Sequence, residues 1–92
     1  MPSRSTIAKL GHITRELKLN RALSDKSLQR LIKVLTILKD GFSAPEQIDI
    51  IIDNFKEGKT INELTDELKF WVYESIEWGN AGVLEIEFGP EE

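Results

Sequence analysis

The fold is decided by residues 28–41, whose sequence is LQRLIKVLTILKDG. Leucine and isoleucine recur there at steps of three and four, the spacing that places side chains on one face of an α-helix. The closing Gly41 is typical of the left-handed position just beyond a helix, which a residue with a Cβ resists. We therefore predict a helix over 25–40 that packs through Leu28, Leu31, Ile32, Leu35 and Leu38.

Helical patterns also flank this segment on both sides. A first helix is predicted over 4–19, because an apolar stripe with helical spacing contains Ile7, Leu10, Ile13 and Leu17. Two capping boxes, each a Ser or Thr followed three residues later by Glu, begin at Ser43 and Thr60. They predict further helices over 44–57 and 61–78, which Gly58 and Gly79 are expected to end.

The last part of the chain follows a different period. Residues 83–88 alternate between apolar and acidic side chains, which predicts an extended segment, and residues 89–92 are predicted to be an acidic tail. The predicted fold class is all-α: a single domain over 1–92, built as a small bundle of about four helices with a short C-terminal extended segment. The predicted core contains Leu10, Leu17, Leu28, Leu31, Leu35, Leu38, Ile48, Ile52, Phe55, Leu64, Leu68, Trp71 and Val72.

The composition indicates one globular domain. The chain has 92 residues, of which 40% are hydrophobic and 30% charged, so it has enough apolar surface for a core. It has no cysteine, which excludes disulfides and thiolate metal sites. No apolar run approaches the length of about 18–20 residues that a membrane span needs. We therefore expect a cytoplasmic protein with no membrane partner.

Charge is divided between the two halves of the chain. Residues 1–39 hold nine of the twelve Lys and Arg residues and two of the sixteen acids, a net charge of +7. Residues 40–92 hold the other three basic residues and fourteen acids, a net charge of −11. Such a division indicates either a charged partner or two halves that attract each other in the fold.

The sequence carries no motif for catalysis or for a cofactor. Its one histidine, His12, is expected on the surface and has no supporting catalytic motif. No glycine-rich phosphate loop is present. Two acidic pairs, Glu63 with Asp66 and Glu74 with Glu77, have a spacing that occurs in metal sites, but a metal cage needs carboxylates from different helices. We therefore expect no enzyme activity, no cofactor and no metal.

One segment resembles a DNA-binding motif. Residues 55–68 resemble the opening of the helix-turn-helix of recombinases and resolvases. In that family a short glycine-containing turn and a recognition helix follow, whereas here Leu68 continues into residues 69–74 without a turn residue. We interpret the resemblance as shared cap chemistry and transfer no DNA-contacting residue from it.

The leading functional hypothesis rests on the acidic faces of the third and fourth predicted helices. Phe70 is expected to point outward among acids, and Ile50 does the same on the preceding helix. An exposed aromatic ring surrounded by acids suits a basic, partly apolar protein surface. The predicted protein-binding residues are Ile50, Asp53, Asp66, Phe70, Tyr73, Glu74 and Glu77.

Three explanations for these outward apolar residues are open at this stage. The C-terminal extended segment folds over Phe70, or a homodimer covers it, or a different protein binds it. Ile37, on the basic side of the second helix, is expected to point outward as well.

The alternative hypothesis is nucleic-acid binding by the basic first half. Lysines and arginines on the outer faces of the first two helices would then contact phosphates. The candidates are Arg15, Lys18, Lys26, Arg30 and Lys33. In a variant of this hypothesis the acidic half imitates nucleic acid and inhibits a basic protein.

Overall fold

The computed structural model describes residues 2–41 and 45–88. Its regular structure over these ranges is helical, with no β-strand among them, which confirms the predicted all-α bundle. The helices are α1 (Arg4–Lys18), α2 (Asp25–Gly41), α3 (Pro45–Lys56) and α4 (Asp66–Asn80), with a short 3₁₀ helix at Ile61–Glu63 before α4. The predicted cap at Ser43 and the acidic tail 89–92 lie outside the described residues.

The helix α2 is the centre of the bundle. It packs against α1, α3 and α4. Its fully buried apolar side chains are Leu31, Val34, Leu35 and Leu38. Leu28 and Ile32 are half-buried, and Ile37 packs against the core rather than pointing outward as predicted, because α2 has neighbours on several sides. Gly41 is the last helical residue and does not have the predicted left-handed conformation.

The first helix begins where the sequence predicts. The Ser3 side chain accepts a hydrogen bond from the Thr6 backbone N–H at 3.1 Å, which satisfies one free donor of the first turn. Ile7, which belongs to the predicted apolar stripe of this helix, is exposed. The face of α1 that meets the bundle instead contains Thr6, Lys9, Leu10, Ile13 and Leu17.

The end of α3 is formed as predicted. Gly58 has φ +83°, a conformation that favours glycine. Its N–H donates to the Phe55 carbonyl at 3.0 Å, and the Lys59 N–H donates to the Asn54 carbonyl at 3.2 Å. This pair of hydrogen bonds is the Schellman motif, which satisfies carbonyls that the helix leaves unpaired.

The predicted start of the fourth helix at residue 61 is wrong. The Glu63 carboxylate does accept a hydrogen bond from the Thr60 N–H at 2.6 Å, but this arrangement caps only the 3₁₀ helix. The chain then becomes extended at Leu64, and Thr65 caps α4 by accepting from the Leu68 N–H at 3.3 Å. Ile61 and Leu64 are both buried. The interruption therefore places two apolar residues in the core before α4 starts.

Gly79 allows the C-terminal segment to pack closely against α4. It is buried inside the last turn of α4 rather than ending the helix as predicted. A Cβ at this position would lie 2.7 Å from Ile86 Cδ1 and 3.1 Å from Leu10 Cδ1. Such contacts are too close, so the absence of a side chain brings Ile86 against α4 and α1.

The predicted alternation of residues 83–88 is confirmed by burial. Leu84 and Ile86 are buried and Phe88 is half-buried, while Glu85 and Glu87 are exposed. The segment has no regular secondary structure. It thus completes the core as an irregular segment.

Candidate protein-binding face

Helix α4 has one buried side and one exposed side. The buried side contains Val72, Ser75, Ile76 and Gly79. On the other side Phe70 is 54% exposed and Tyr73 is 38% exposed. Both residues therefore lie outward, as the sequence predicts. On α3, which packs against α4, Ile50 is also exposed at 49%.

The Phe70 ring is supported by its neighbour in the chain. The rings of Phe70 and Trp71 are in edge contact, with centroids 5.4 Å apart and planes at 76°. Trp71 is half-buried and packs against the core. Edge contacts between aromatic rings are favourable, so Trp71 holds the Phe70 ring in place on the surface.

Acids surround Phe70 along α4. The helix contains four acids and one base, Lys69. Lys69 Nζ lies 3.9 Å from an Asp66 carboxylate oxygen, a surface pair that contributes little to stability. Asp66, Glu67 and Glu77 are exposed and Glu74 is half-buried. The face is therefore strongly negative around an exposed aromatic ring.

The position of Glu77 is unfavourable for the helix itself. It lies in the last turn of α4, which contains no basic residue. The carbonyl end of a helix carries partial negative charge, so an acid there is destabilising and a base is preferred. Helix stability therefore does not explain the acid at this position.

The acids of α3 differ in their environment. Asp49 accepts a hydrogen bond from Lys39 at 2.8 Å, and this contact joins α3 to α2. The hydrogen bond and the charge of Asp49 raise the pKa of Lys39. Asp53 is exposed near Ile50 in the chain. Asp49 is thus engaged within the fold, whereas Asp53 belongs to the outward face as predicted.

The C-terminal segment packs on other parts of the bundle. Ile86 lies against Gly79 and Leu10. Lys33 donates to the Glu87 carbonyl, and Lys9 Nζ lies 5.9 Å from the centre of the Phe88 ring. Phe70 remains more than half exposed. Of the three explanations for the outward Phe70, a cover formed by residues 83–88 is therefore excluded.

The five predicted nucleic-acid contacts have different surroundings in the structure. Lys26 and Arg30 line an open groove of about 490 Å³ between α1 and α2. Arg15 and Lys18 lie in the last turn of α1, outside the lining of this groove. Lys33 instead reaches the C-terminal segment at Glu87. The five residues thus do not all line this groove.

Two residues of α1 also line this groove. Lys9 and His12 lie on α1 and face Lys26 and Arg30 of α2 across the groove. Their spacing of three residues places them on one side of α1, and this much can be predicted from the sequence. The sequence does not predict that this side meets α2, because that depends on how the two helices pack.

Glu16 connects the same two helices. Its carboxylate accepts hydrogen bonds from the Ser24 N–H at 2.8 Å, from the Ser24 hydroxyl at 3.1 Å and from the Ser27 hydroxyl. Partial burial acts to raise the pKa of Glu16, but these hydrogen bonds and the nearby charge of Arg21 lower it below its ordinary value. Glu16 therefore stays ionised and joins α1 to the start of α2, where the Ser24 hydroxyl accepts from the Ser27 N–H at 3.4 Å.

Comparisons with known proteins do not assign a family. No family model, curated protein or solved structure matches the chain. Within residues 2–41 and 45–88, no group of three or more His, Asp or Glu residues is arranged to hold a metal ion. In the same part of the chain, no helix combines the length and apolar character needed to cross a membrane.

Proposed function

We propose that the protein is a small, non-enzymatic interaction module that binds a protein partner through the outward faces of α3 and α4. The observation that carries the proposal is Phe70: a large aromatic side chain, 54% exposed, on a helix with four acids. A single exposed apolar residue is ordinary, but aromatic residues on such surfaces frequently supply most of the binding energy of an interface.

The charge of this face defines the chemistry of the partner. Asp66, Glu67, Glu74 and Glu77 favour a surface rich in Lys or Arg, with an apolar recess for the Phe70 ring. Tyr73 adds an amphipathic ring at the edge, a residue type that is enriched in interfaces. The proposed partner is therefore a basic protein surface with an apolar pocket.

A symmetric homodimer through this face is less favourable than a different partner. A twofold axis would bring the acids of α4 close to the same acids of the second copy. Like charges opposed in this way cost free energy unless a cation lies between them. The charge of the face thus supports a basic partner over self-association.

A capture experiment with matched variants tests the proposal. We expect the immobilised wild-type chain to retain a basic protein from native lysate, and Phe70→Ser to lose it. Ile7→Ser is the control, because Ile7 is an apolar residue of α1 with similar exposure, 45%. The retained protein should be released by rising salt, since screening weakens contacts between exposed charges.

The outcomes distinguish the alternatives. Equal retention by Phe70→Ser and by Ile7→Ser would contradict the proposed face. Self-association that is abolished by Phe70→Ser, measured by sedimentation, would replace the foreign partner by a second copy. Release of the captured protein by DNA would indicate that the acidic face imitates nucleic acid and occupies a nucleic-acid site of that partner.

A further inference from the structure

We propose that Ser24, in the connector between α1 and α2, is a phosphorylation site for a serine kinase that recognises arginine. The connector covers residues 19–24, which form no helix or strand. Ser24 is exposed, and so are residues 19–22. Exposed loops are the parts of a fold that a second protein can reach. The site is separate from the face around Phe70, and the inference does not depend on the proposed partner.

The residues before Ser24 carry the charge that such a kinase recognises. Arg21 is exposed and lies three residues before Ser24. No other serine or threonine of the sequence has an arginine at this spacing. Kinases select substrates by the pattern of charge near the acceptor hydroxyl. An arginine forms paired hydrogen bonds with a carboxylate, so an acidic pocket of the kinase can hold Arg21 while Ser24 enters the active site.

Thr36 provides a contrast within the same chain. It is exposed and has a basic residue, Lys33, three residues before it. However, it lies inside α2, and its hydroxyl donates to the Ile32 carbonyl at 2.7 Å. A kinase that takes its substrate as an open segment would have to unwind the helix that packs against all three others. The fold therefore favours Ser24 as the acceptor.

The reaction is a phosphoryl transfer from ATP, which the kinase binds with magnesium. The Ser24 Oγ atom attacks the γ-phosphorus, and the bond from that phosphorus to the bridging oxygen of the β-phosphate breaks. ADP leaves with the electron pair, and the catalytic aspartate of the kinase accepts the hydroxyl proton. The product is a phosphoserine at the start of α2.

Phosphorylation acts on the contact that joins α1 to α2. The Glu16 carboxylate accepts from the Ser24 N–H at 2.8 Å and from the Ser24 hydroxyl at 3.1 Å. The phosphoryl group removes the hydroxyl donor and places about 1.5–2 negative charges beside this carboxylate. The start of a helix favours negative charge, but Glu16 already supplies it there. The two groups therefore repel each other, and the modification loosens α1 from α2.

Phosphorylation of the full chain in vitro tests the site. The chain is incubated with magnesium, ATP and a serine kinase that selects arginine three residues before its acceptor, and mass spectrometry locates the phosphate. We expect Ser24 to be the main modified residue. Arg21→Gln should slow its modification by about tenfold or more, because a charged contact with the kinase is lost. Arg4→Gln removes an equal charge at the start of α1 and should leave the rate close to that of the wild type.

Thermal unfolding of the modified chain tests the structural effect. We expect phosphorylation to lower the midpoint by about 4–8 °C, the shift that loss of a modest contact causes in a domain of this size. In Glu16→Gln the carboxylate charge is absent. The same modification should then shift the midpoint by less than about half as much, because the repelling pair no longer exists.

Defined results would overturn each part of the proposal. Modification mainly at Thr36, or an undiminished rate in Arg21→Gln, would overturn the assignment of Ser24. Modification of a free peptide of residues 17–28 but not of the folded chain would do the same. A midpoint that does not fall, or an equal fall in the wild type and in Glu16→Gln, would overturn the proposed effect on the contact between α1 and α2.

Discussion

The double substitution Phe70→Ala with Glu74→Lys is expected to weaken partner binding by about a hundredfold or more. Truncating an aromatic residue at the centre of an interface commonly costs about 2 kcal/mol or more. Reversing a neighbouring charge adds repulsion against a basic partner. The dissociation constant of the captured partner, measured by calorimetry, checks this expectation.

The same substitution is expected to change the free energy of unfolding by about 1.5 kcal/mol at most. Phe70 is more than half exposed, and its main described contact is the edge of the Trp71 ring. Contacts of this kind contribute about 0.5–1.5 kcal/mol. Loss of binding with nearly unchanged stability would therefore assign Phe70 to the interface.

A matched control separates the face from overall charge. Ile7→Ala with Glu85→Lys removes an exposed apolar side chain and reverses one exposed acid, on α1 and the C-terminal segment. We expect this variant to bind like the wild type. Equal loss of binding in both double variants would contradict the proposed face. A loss of unfolding free energy above about 3 kcal/mol in the Phe70 variant would also contradict it, because losses of that size are typical of core residues.

Ile86→Ala is expected to lower the free energy of unfolding by about 2–4 kcal/mol, because it removes a buried side chain and leaves a cavity. Ile86 is 6% exposed and its Cδ1 atom lies over Gly79, beside Leu10. Total stability of small domains is about 5–15 kcal/mol, so this is a large fraction. Urea denaturation followed by circular dichroism measures it.

Val83→Ala is the control for this prediction. Val83 belongs to the same segment and is 59% exposed. Its truncation should cost about 0.5 kcal/mol or less, as is usual for surface positions. An equally small loss of unfolding free energy in Ile86→Ala and Val83→Ala would show that the C-terminal segment does not pack on Gly79 as described.

The sequence predicted the fold class well because each helix carries a local signal. The stripe around Leu35 has helical spacing, and Gly58 marks the end of α3 with its left-handed backbone. The alternation of Leu84 and Ile86 with acids predicted the burial of the last segment. Spacing and cap chemistry are properties of short segments, so they are readable without tertiary structure.

The errors have a common origin in competition between local signals and packing. Thr60 and Thr65 are both good caps, and only the burial of Ile61 and Leu64 decides that α4 starts after the second. Ile7 lies at the edge of the apolar stripe of α1, and Ile37 lies on the basic side of α2. Which of these positions is covered depends on the neighbouring helices, and this information is not local.

The candidate face and the groove between α1 and α2 were predictable to different degrees. Phe70 and Ile50 were expected outward because they lie opposite the apolar stripes of their own helices, and both are exposed. The groove at Lys9 and Arg30 needs two helices in a particular arrangement. Helical spacing indicates which residues share a side of α1, but it does not indicate which side of α2 they meet.

The fluorescence of Trp71 tests the central claim most directly. Its ring lies in edge contact with Phe70, at 5.4 Å between centroids. The chain has two tryptophans, so Trp78→Phe leaves Trp71 as the single indole reporter. If the partner covers Phe70, water is excluded there, and Trp71 emission should move to shorter wavelength in proportion to the bound fraction. Saturating binding of the partner with unchanged Trp71 emission would contradict the proposed face.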